Sequence, residues 1–362
     1  MSDSVPANPA SPPALTAKDI GATCLVSGGA GYVGSALVKR LVASGCQVIS
    51  LDATQHSHPD QAVTCIQADL RDHDAIVSAC AGVDTIFHTA ALIKPLEIYR
   101  PSLKRLVYDV NVVGTQNLLD AAKRQGATSL VHTSTFNVVL DRELNDSDES
   151  LPYATRSRDL YTLTKIEAEK AVLAANSKDG LRTCALRPGG VWGSDTRSIM
   201  IRSVLVEVAK NNFKVLIGNG KATIDNTHVE NLVDAQVLAA KALRAADASA
   251  GGEAFFITDD EPVNGLEWFR PLVEGVGEKF PSFRLPGGMM KLVGRLMELI
   301  HFLGGPEPTL NRRGIRNLTE SASFRIDKAR RILGYSPRYQ RSNGIPELLP
   351  ASRDYLEELR SA

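Results

Sequence analysis

Apolar and polar positions follow two rhythms through the first half of the chain. Ala22–Val26, Gln47–Leu51, Val63–Gln67, Asp84–His88, Ser129–Thr133 and Arg182–Leu186 are short runs dominated by aliphatic residues, which predicts strands. Between them, Tyr32–Val42, Asp72–Ala81, Leu103–Gln125 and Asp159–Asn176 carry apolar residues at three- and four-residue spacing, which predicts helices; Leu103–Gln125 reads as one long helix ending at Gly126. Strand and helix in strict alternation imply a parallel sheet covered on both faces. The connection Thr89–Pro101 is longer than such a unit needs, and the acidic stretch Asp141–Ser150 reads as a solvated loop. Beyond Pro188 the alternation fades. Helices over Ser198–Lys210 and Val229–Leu243, with short strands near Lys214–Ile217 and Glu253–Thr258, predict that the chain builds a second region and returns to the sheet.

Gly287–Gly305 is patterned differently. On a helical wheel Lys291, Arg295, Glu298 and His301 share one narrow side, and Met289, Met290, Leu292, Val293, Leu296, Met297, Leu299, Ile300 and Leu303 spread over a wide apolar arc. The plain expectation is a core helix beneath a lid. The sharper alternative is a face that touches an apolar substrate or lies on a bilayer surface.

Composition narrows the class without choosing a reaction. Forty-one basic residues balance forty-one acidic ones, whereas a nucleic-acid binder more typically carries a basic excess. The five cysteines, Cys24, Cys46, Cys65, Cys80 and Cys184, lack metal-ligand spacing and mostly sit in or beside apolar runs, as free thiols in the reducing cytoplasm would. The first nineteen residues, rich in Pro, Ala and Ser, lack the apolar core of a signal peptide and are expected to be a disordered tail. No run approaches the roughly 20 apolar residues of a membrane span.

Chemistry enters at SGGAGYVG, residues 27–34, placed between the first strand and the first long helix. In that context Gly28 permits a tight turn, Gly31 lets backbone approach a pyrophosphate, and Gly34 lets helix pack on strand. The N-terminal turn of the helix, with Tyr32 and Val33, offers free N–H groups to phosphate. Asp52, 18 residues beyond Gly34, ends the second strand and can accept hydrogen bonds from a ribose diol; no Lys or Arg lies between it and Gln61, which favours NAD over NADP. The fold class is therefore α/β, a Rossmann-type doubly wound parallel sheet with a smaller, mostly C-terminal substrate-binding region. The expected division is a tail over 1–19, a dinucleotide-binding domain over 20–188 with 228–260 returning to it, substrate-binding segments 189–227 and 261–345, and a C-terminal helix over 346–362.

A fold does not choose a reaction. The side chains that bear on one are Tyr161 and Lys165, one helical turn apart in YTLTK. A phenol with an ordinary pKa of about 10 is a poor base at neutral pH, and an ammonium one turn away favours its phenolate. A hydroxyl after the fifth strand, Thr135 or its neighbour Ser134, can hold a substrate oxygen while the proton moves. His88, inside a strand, reads as a structural residue.

SGGAGYVG, ADL at 68–70, HTAA at 88–91, NVVGTQNLL at 111–119, HTST at 132–135, YTLTK, RPGGVWG at 187–193 and HVENLVDA at 228–235 together resemble the extended short-chain dehydrogenase/reductases, over roughly Ala22 to Pro337. Within that superfamily they are most similar to the 3-beta-hydroxysteroid dehydrogenase family, including its sterol and 4-carboxysterol members. The resemblance implies a catalytic set of Thr135, Tyr161 and Lys165, with Asn111 as a structural and proton-relay partner. It assigns Asp69 and Leu70 to the adenine, Ala90 to the loop beside the pyrophosphate, and Pro188 to the nicotinamide border; Lys165 also serves the cofactor. The expected activity is NAD-dependent oxidation of the 3-beta-hydroxyl of a steroid or sterol. A decarboxylating 4-carboxysterol dehydrogenase is the first alternative, with Lys94 a candidate partner for the carboxylate. A nucleotide-sugar epimerase or dehydratase is the second, disfavoured because Gly189, Gly190 and Val191 stand where such enzymes usually carry an asparagine. A non-catalytic cofactor sensor ranks last, since Tyr161 and Lys165 are both present. By analogy with the superfamily the chain is expected to pair as a homodimer through Leu103–Gln125 and Asp159–Asn176.

Overall fold

The computed structural model describes residues 9–93, 101–156, 159–303, 315 and 318–361. Five strands of the first half, β1 Thr23–Ser27, β2 Gln47–Asp52, β3 Val63–Gln67, β4 Thr85–His88 and β5 Ser129–Thr133, line up as predicted. After β6, Leu144–Ser147, come β7 Arg182–Pro188, β8 Gly190–Trp192, β9 Leu216–Ile217, β10 Thr223–Ile224, β11 Asn226–His228 and β12 Ala254–Ile257. The main sheet is parallel throughout, in the order β3-β2-β1-β4-β5-β7-β12. The direction of winding reverses between β1 and β4, and ligands of such sheets lie outside that switch point.

The central strands read as continuous apolar runs because both faces are covered. On β1, Cys24 and Val26 face a core shared with α2 (Tyr32–Ala43) and α8 (Val229–Arg244), while Leu25 faces the opposite core, built with α3 (His73–Ala79), α5 (Gly114–Gln125) and α6 (Leu160–Ala174). The helix expected over Leu103–Gln125 starts at Pro101 and is divided: α4 (Pro101–Tyr108) runs through a π-turn, Asp109–Val113, into α5. α8 and β12 return to the main sheet, β12 beside β7.

The second region holds α7 (Ile199–Ala209), α9 (Arg270–Gly275), β13 Val263–Asn264, β14 Arg284–Leu285 and the helix Arg341–Ser361, around a core of Trp192, Leu205, Trp268, Leu272, Ile345 and Leu348. Trp192 donates to Asp259 at 2.7 Å and packs edge-on against Trp268 at 4.9 Å.

Four expectations are corrected. The acidic stretch Asp141–Ser150 is not a loop throughout: β6 pairs in parallel with β15, Ala322–Phe324, nearly 180 positions downstream. The tail is not disordered over its described part: Leu15 is buried, α1 (Ala17–Ile20) packs on α8, and Ile20 is fully enclosed. The C-terminal helix begins at Arg341 rather than 346 and carries Pro346 and Pro350. The fourth concerns α10, Gly287–Phe302, which is not a core helix. Met289, Leu292, Val293, Leu296 and Ile300 are exposed, as is Leu303 just beyond it, and Met290 packs against the second core; the side chains of Glu298, Leu299 and His301 lie outside those described.

Candidate active site

β1 hands the chain to the glycine turn. Gly28 has φ +76°, the left-handed region that favours glycine, and a Cβ there would lie 2.8 Å from the backbone of Ala90, so the loop after β4 closes directly onto the turn. At Gly34 a Cβ would lie 2.0 Å from the Gly28 carbonyl oxygen, so α2 crosses the turn only because it is bare there. Gly28 and Gly29 donate to the Leu51 carbonyl, at 2.7 and 3.1 Å, which ties the turn to the end of β2. Asp52 follows: its carboxylate accepts from Ala30 N at 3.2 Å and Thr54 N at 2.9 Å.

Tyr32 and Val33 are the first two residues of α2, where helix geometry leaves N–H groups without intrahelical partners. Their side chains turn away: Val33 packs against the first core, and the Tyr32 phenol is buried beneath Arg197, its pKa pushed up by burial and by Asp195. Asp69 ends the next strand connection in an ion pair with Arg71 at 2.6 Å, and Leu70 is buried, its carbonyl accepting from Asn117 at 2.9 Å. Asp52 ends β2, and Gly28, Asp69 and Ala90 follow the carboxyl ends of β1, β3 and β4. A Cβ at Gly28 or Gly34 would break this cradle's tight turn, and the bare turn at the strand ends fits a dinucleotide.

The acid-base candidates gather beyond β5. Thr135 is buried, and its hydroxyl oxygen accepts from Asn137 N at 3.3 Å as the cap of the turn Phe136–Val139, against which α6 packs. Ser134 is also buried, its hydroxyl without a partner among the described residues. Tyr161, second residue of α6, is half-buried. Lys165 is 2% exposed; its ammonium donates to the Thr133 carbonyl at 2.6 Å and to His132 Nε2 at 3.2 Å. Burial pulls the Lys165 pKa down to about 7, against the opposing pull of Glu169 one turn further on.

Asn111 lies in the π-turn, a local distortion often found at functional sites. Its carboxamide accepts from Leu92 N at 2.7 Å and donates to the Leu92 carbonyl and Thr164 Oγ1, both at 3.1 Å. Its backbone carbonyl accepts from Thr115 Oγ1 at 2.6 Å. Asn111 therefore pins the loop after β4 to the residue preceding Lys165. Pro188 is buried at the end of β7, and the next position is bare for a reason: a Cβ on Gly189 would lie 2.3 Å from the Asp225 carbonyl oxygen. Lys94 lies outside the described residues.

His88 is a satisfied structural residue, bonded to Ser27 Oγ at 2.7 Å and Thr115 Oγ1 at 2.8 Å, with burial pulling its pKa to about 3. Two features escape a reading of the sequence. One is His132, fully buried against Lys165. The other is the buried pair Arg187–Glu169, closed at 2.6 Å, with Tyr153 donating to the same carboxylate at 2.9 Å. Glu169 stands four residues after Lys165, the one local signal that it belongs to this layer.

A sheet that reverses at a glycine turn, with a Tyr-x-x-x-Lys helix packed beside the end of β5, defines the extended short-chain dehydrogenase/reductase class. Within that class, a model of the 3-beta hydroxysteroid dehydrogenase/isomerase family matches residues 25–286, and the chain belongs to that family. It is 39% identical over 344 residues to a 3 beta-hydroxysteroid dehydrogenase/Delta 5-->4-isomerase of Mycobacterium tuberculosis, covering 93% of this chain and 92% of the relative. It is 36% identical over 342 residues to a 3-beta-hydroxysteroid dehydrogenase of Mycolicibacterium neoaurum, with 92% of each chain covered. Among solved structures, MoeE5 in complex with UDP-glucuronic acid and NAD is similar in fold, with a TM-score of 0.72, 24% identity, and coverage of 92% of this chain and 99% of that one.

Proposed function

We propose that this protein oxidises the 3-beta-hydroxyl of a steroid or sterol to the 3-ketone, with NAD as cofactor. The observation that carries the reading is the Lys165 ammonium, sealed against the end of β5 one helical turn after Tyr161. The first-turn N–H groups of Tyr32 and Val33 would hold the pyrophosphate, Asp52 the ribose diol, Asp69 and Leu70 the adenine end, and Ala90, Lys165 and Pro188 the nicotinamide half. When bound, the nicotinamide supplies the acceptor for the hydride. Tyr161 takes the hydroxyl proton as phenolate, a form that the nearby ammonium favours electrostatically. The Asn137 bond uses a lone pair of Thr135 and leaves its proton to donate to the substrate oxygen. Asn111 keeps α6 and the loop after β4 in register.

The exposed apolar residues of α10 support an apolar substrate and a peripheral membrane contact through 287–305. They recur at 289, 292, 293, 296, 300 and 303, one stripe at helical spacing, and among the described residues no helix is long and apolar enough to cross a membrane. Tyr108 and Leu163, both exposed on the long helices beside the site, support a homodimer through those helices.

The test is a panel of 3-beta-hydroxysteroids, 4-carboxysterols and nucleotide sugars, scored by absorbance of reduced cofactor and by product mass. Reduction with the steroids, lost in Tyr161→Phe while NAD still binds, is expected. Equal turnover in that variant, or turnover with nucleotide sugars alone, overturns the reading.

A further inference from the structure

His88 and His132 stand side by side on β4 and β5, in register, with ring centroids 5.0 Å apart, and Ser27 on β1 is in register with His88. The hydrogen bonds fix which nitrogen carries each proton. Thr115 has one hydroxyl proton and gives it to the Asn111 carbonyl, so it can only accept from His88. His88 therefore carries its proton on Nε2, and its Nδ1 accepts from Ser27 Oγ.

His132 is the opposite case. When Lys165 is charged, its Nε2 faces an ammonium, which can only donate, so in that state the ring is unprotonated there and holds its proton on Nδ1. That Nδ1–H is buried with no hydrogen-bond partner among the described residues, and His88, with both nitrogens engaged, cannot relieve it. A buried orphan donor is a cost that an aliphatic side chain of similar shape would not carry. What the imidazole offers in return is its Nε2 lone pair, and that lone pair serves Lys165.

We propose that His132 is a positioning residue for the catalytic lysine: with the Thr133 carbonyl, its Nε2 fixes two of the three ammonium protons of Lys165 and leaves the third for Tyr161 and the cofactor. This deepens the dehydrogenase reading and rests on it. The ionisable groups around the pair are few. Lys165 and His88 face His132, whose pKa is pulled well down by burial first and then by the Lys165 charge. Among the described residues, Glu169, already shared with Arg187 and Tyr153, is the carboxylate that acts on Lys165. With an acceptor lost, the ammonium form of Lys165 is less favoured, and Tyr161 is less readily ionised.

Two measurements test this in the full-length protein. In the first, kcat/KM for oxidation is followed against pH. His132→Leu is expected to lower it about tenfold near neutral pH, and to move the acidic limb up by about one unit, the size of one lost hydrogen bond to a charged group. His132→Gln, whose amide oxygen can accept, is expected to restore most of the activity and the limb. The second needs no turnover: with nitrogen-labelled histidine, the His132 signal in resting protein should be that of a neutral ring protonated on Nδ1, and its Nε2 resonance should shift in Lys165→Met. An unmoved limb in folded His132→Leu, or a His132 signal indifferent to Lys165→Met, overturns the proposal. If no steroid is oxidised by the unaltered protein, the dehydrogenase reading fails, and the resonance test still decides the histidine–lysine contact.

Discussion

Replacing Glu169 with Gln should unsettle the molecule more than any other single polar substitution in the catalytic layer. Arg187 and Glu169 are 5% and 0% exposed, and the guanidinium reaches the carboxylate through Nη2 at 2.6 Å and Nε at 3.1 Å. The rings of Tyr153 and Phe256 lie 5.6 and 5.5 Å from it, and a further carboxylate, Glu149, acts on it through space while accepting from Phe256 N. In Glu169→Gln the positive charge stays buried without its counter-charge, a change that costs about 3–5 kcal/mol in comparable pairs. Arg187→Met strands the carboxylate instead and should cost a similar amount. Removing both charges together, as Glu169→Leu with Arg187→Met, should recover most of the loss, because desolvation and attraction nearly cancel in an intact buried pair. Urea unfolding followed by circular dichroism measures all three. Single variants within about 1 kcal/mol of the parent, or a double variant no better than the singles, would refute the reasoning.

Other outcomes follow from the same geometry. Asp225 is buried, with one carboxylate oxygen unpartnered among the described residues and its pKa pushed up to about 7, chiefly by burial. The folded state thus holds a proton there that the unfolded chain releases near pH 4, and this group costs stability as pH rises from about 4 through 7. Asp225→Asn, whose amide oxygen can still accept from Phe324 N, should therefore raise the melting temperature at pH 8 and leave it unchanged at pH 4. Gly28→Ala should abolish NAD binding by calorimetry while far-ultraviolet circular dichroism is retained, since the added methyl meets the backbone of Ala90; undiminished affinity would count against the cradle. Flotation with liposomes should carry the protein to the lipid fraction, and replacing Leu292 and Leu296 with Glu should return it to the bottom of the gradient.

The sheet was legible in the sequence because strands buried on both faces are continuous apolar runs, a pattern independent of what lies far along the chain. β6 was not legible for the complementary reason. Its residues, LNDS, form a strand only because Ser321 to Phe324 come alongside, and nothing local announces that pairing. Glycines, Asp52 and Tyr161 with Lys165 could be read from spacing, since a turn and a helix fix their relative positions. His132 could not, because its importance depends on which nitrogen meets which neighbour across two elements. The wheel of α10 grouped Met289, Leu292, Val293, Leu296 and Ile300 on one side but did not give their exposure, which depends on what surrounds the helix rather than on its own periodicity.

The opening residues read as a disordered tail, yet the Pro13 carbonyl receives Arg40 and the Ala10 carbonyl receives Arg338, so this stretch bridges an early helix and a late turn. Trimming the protein back to Gly21 for easier crystallisation would pull Leu15 and Ile20 out from under α8 and uncover aliphatic surface.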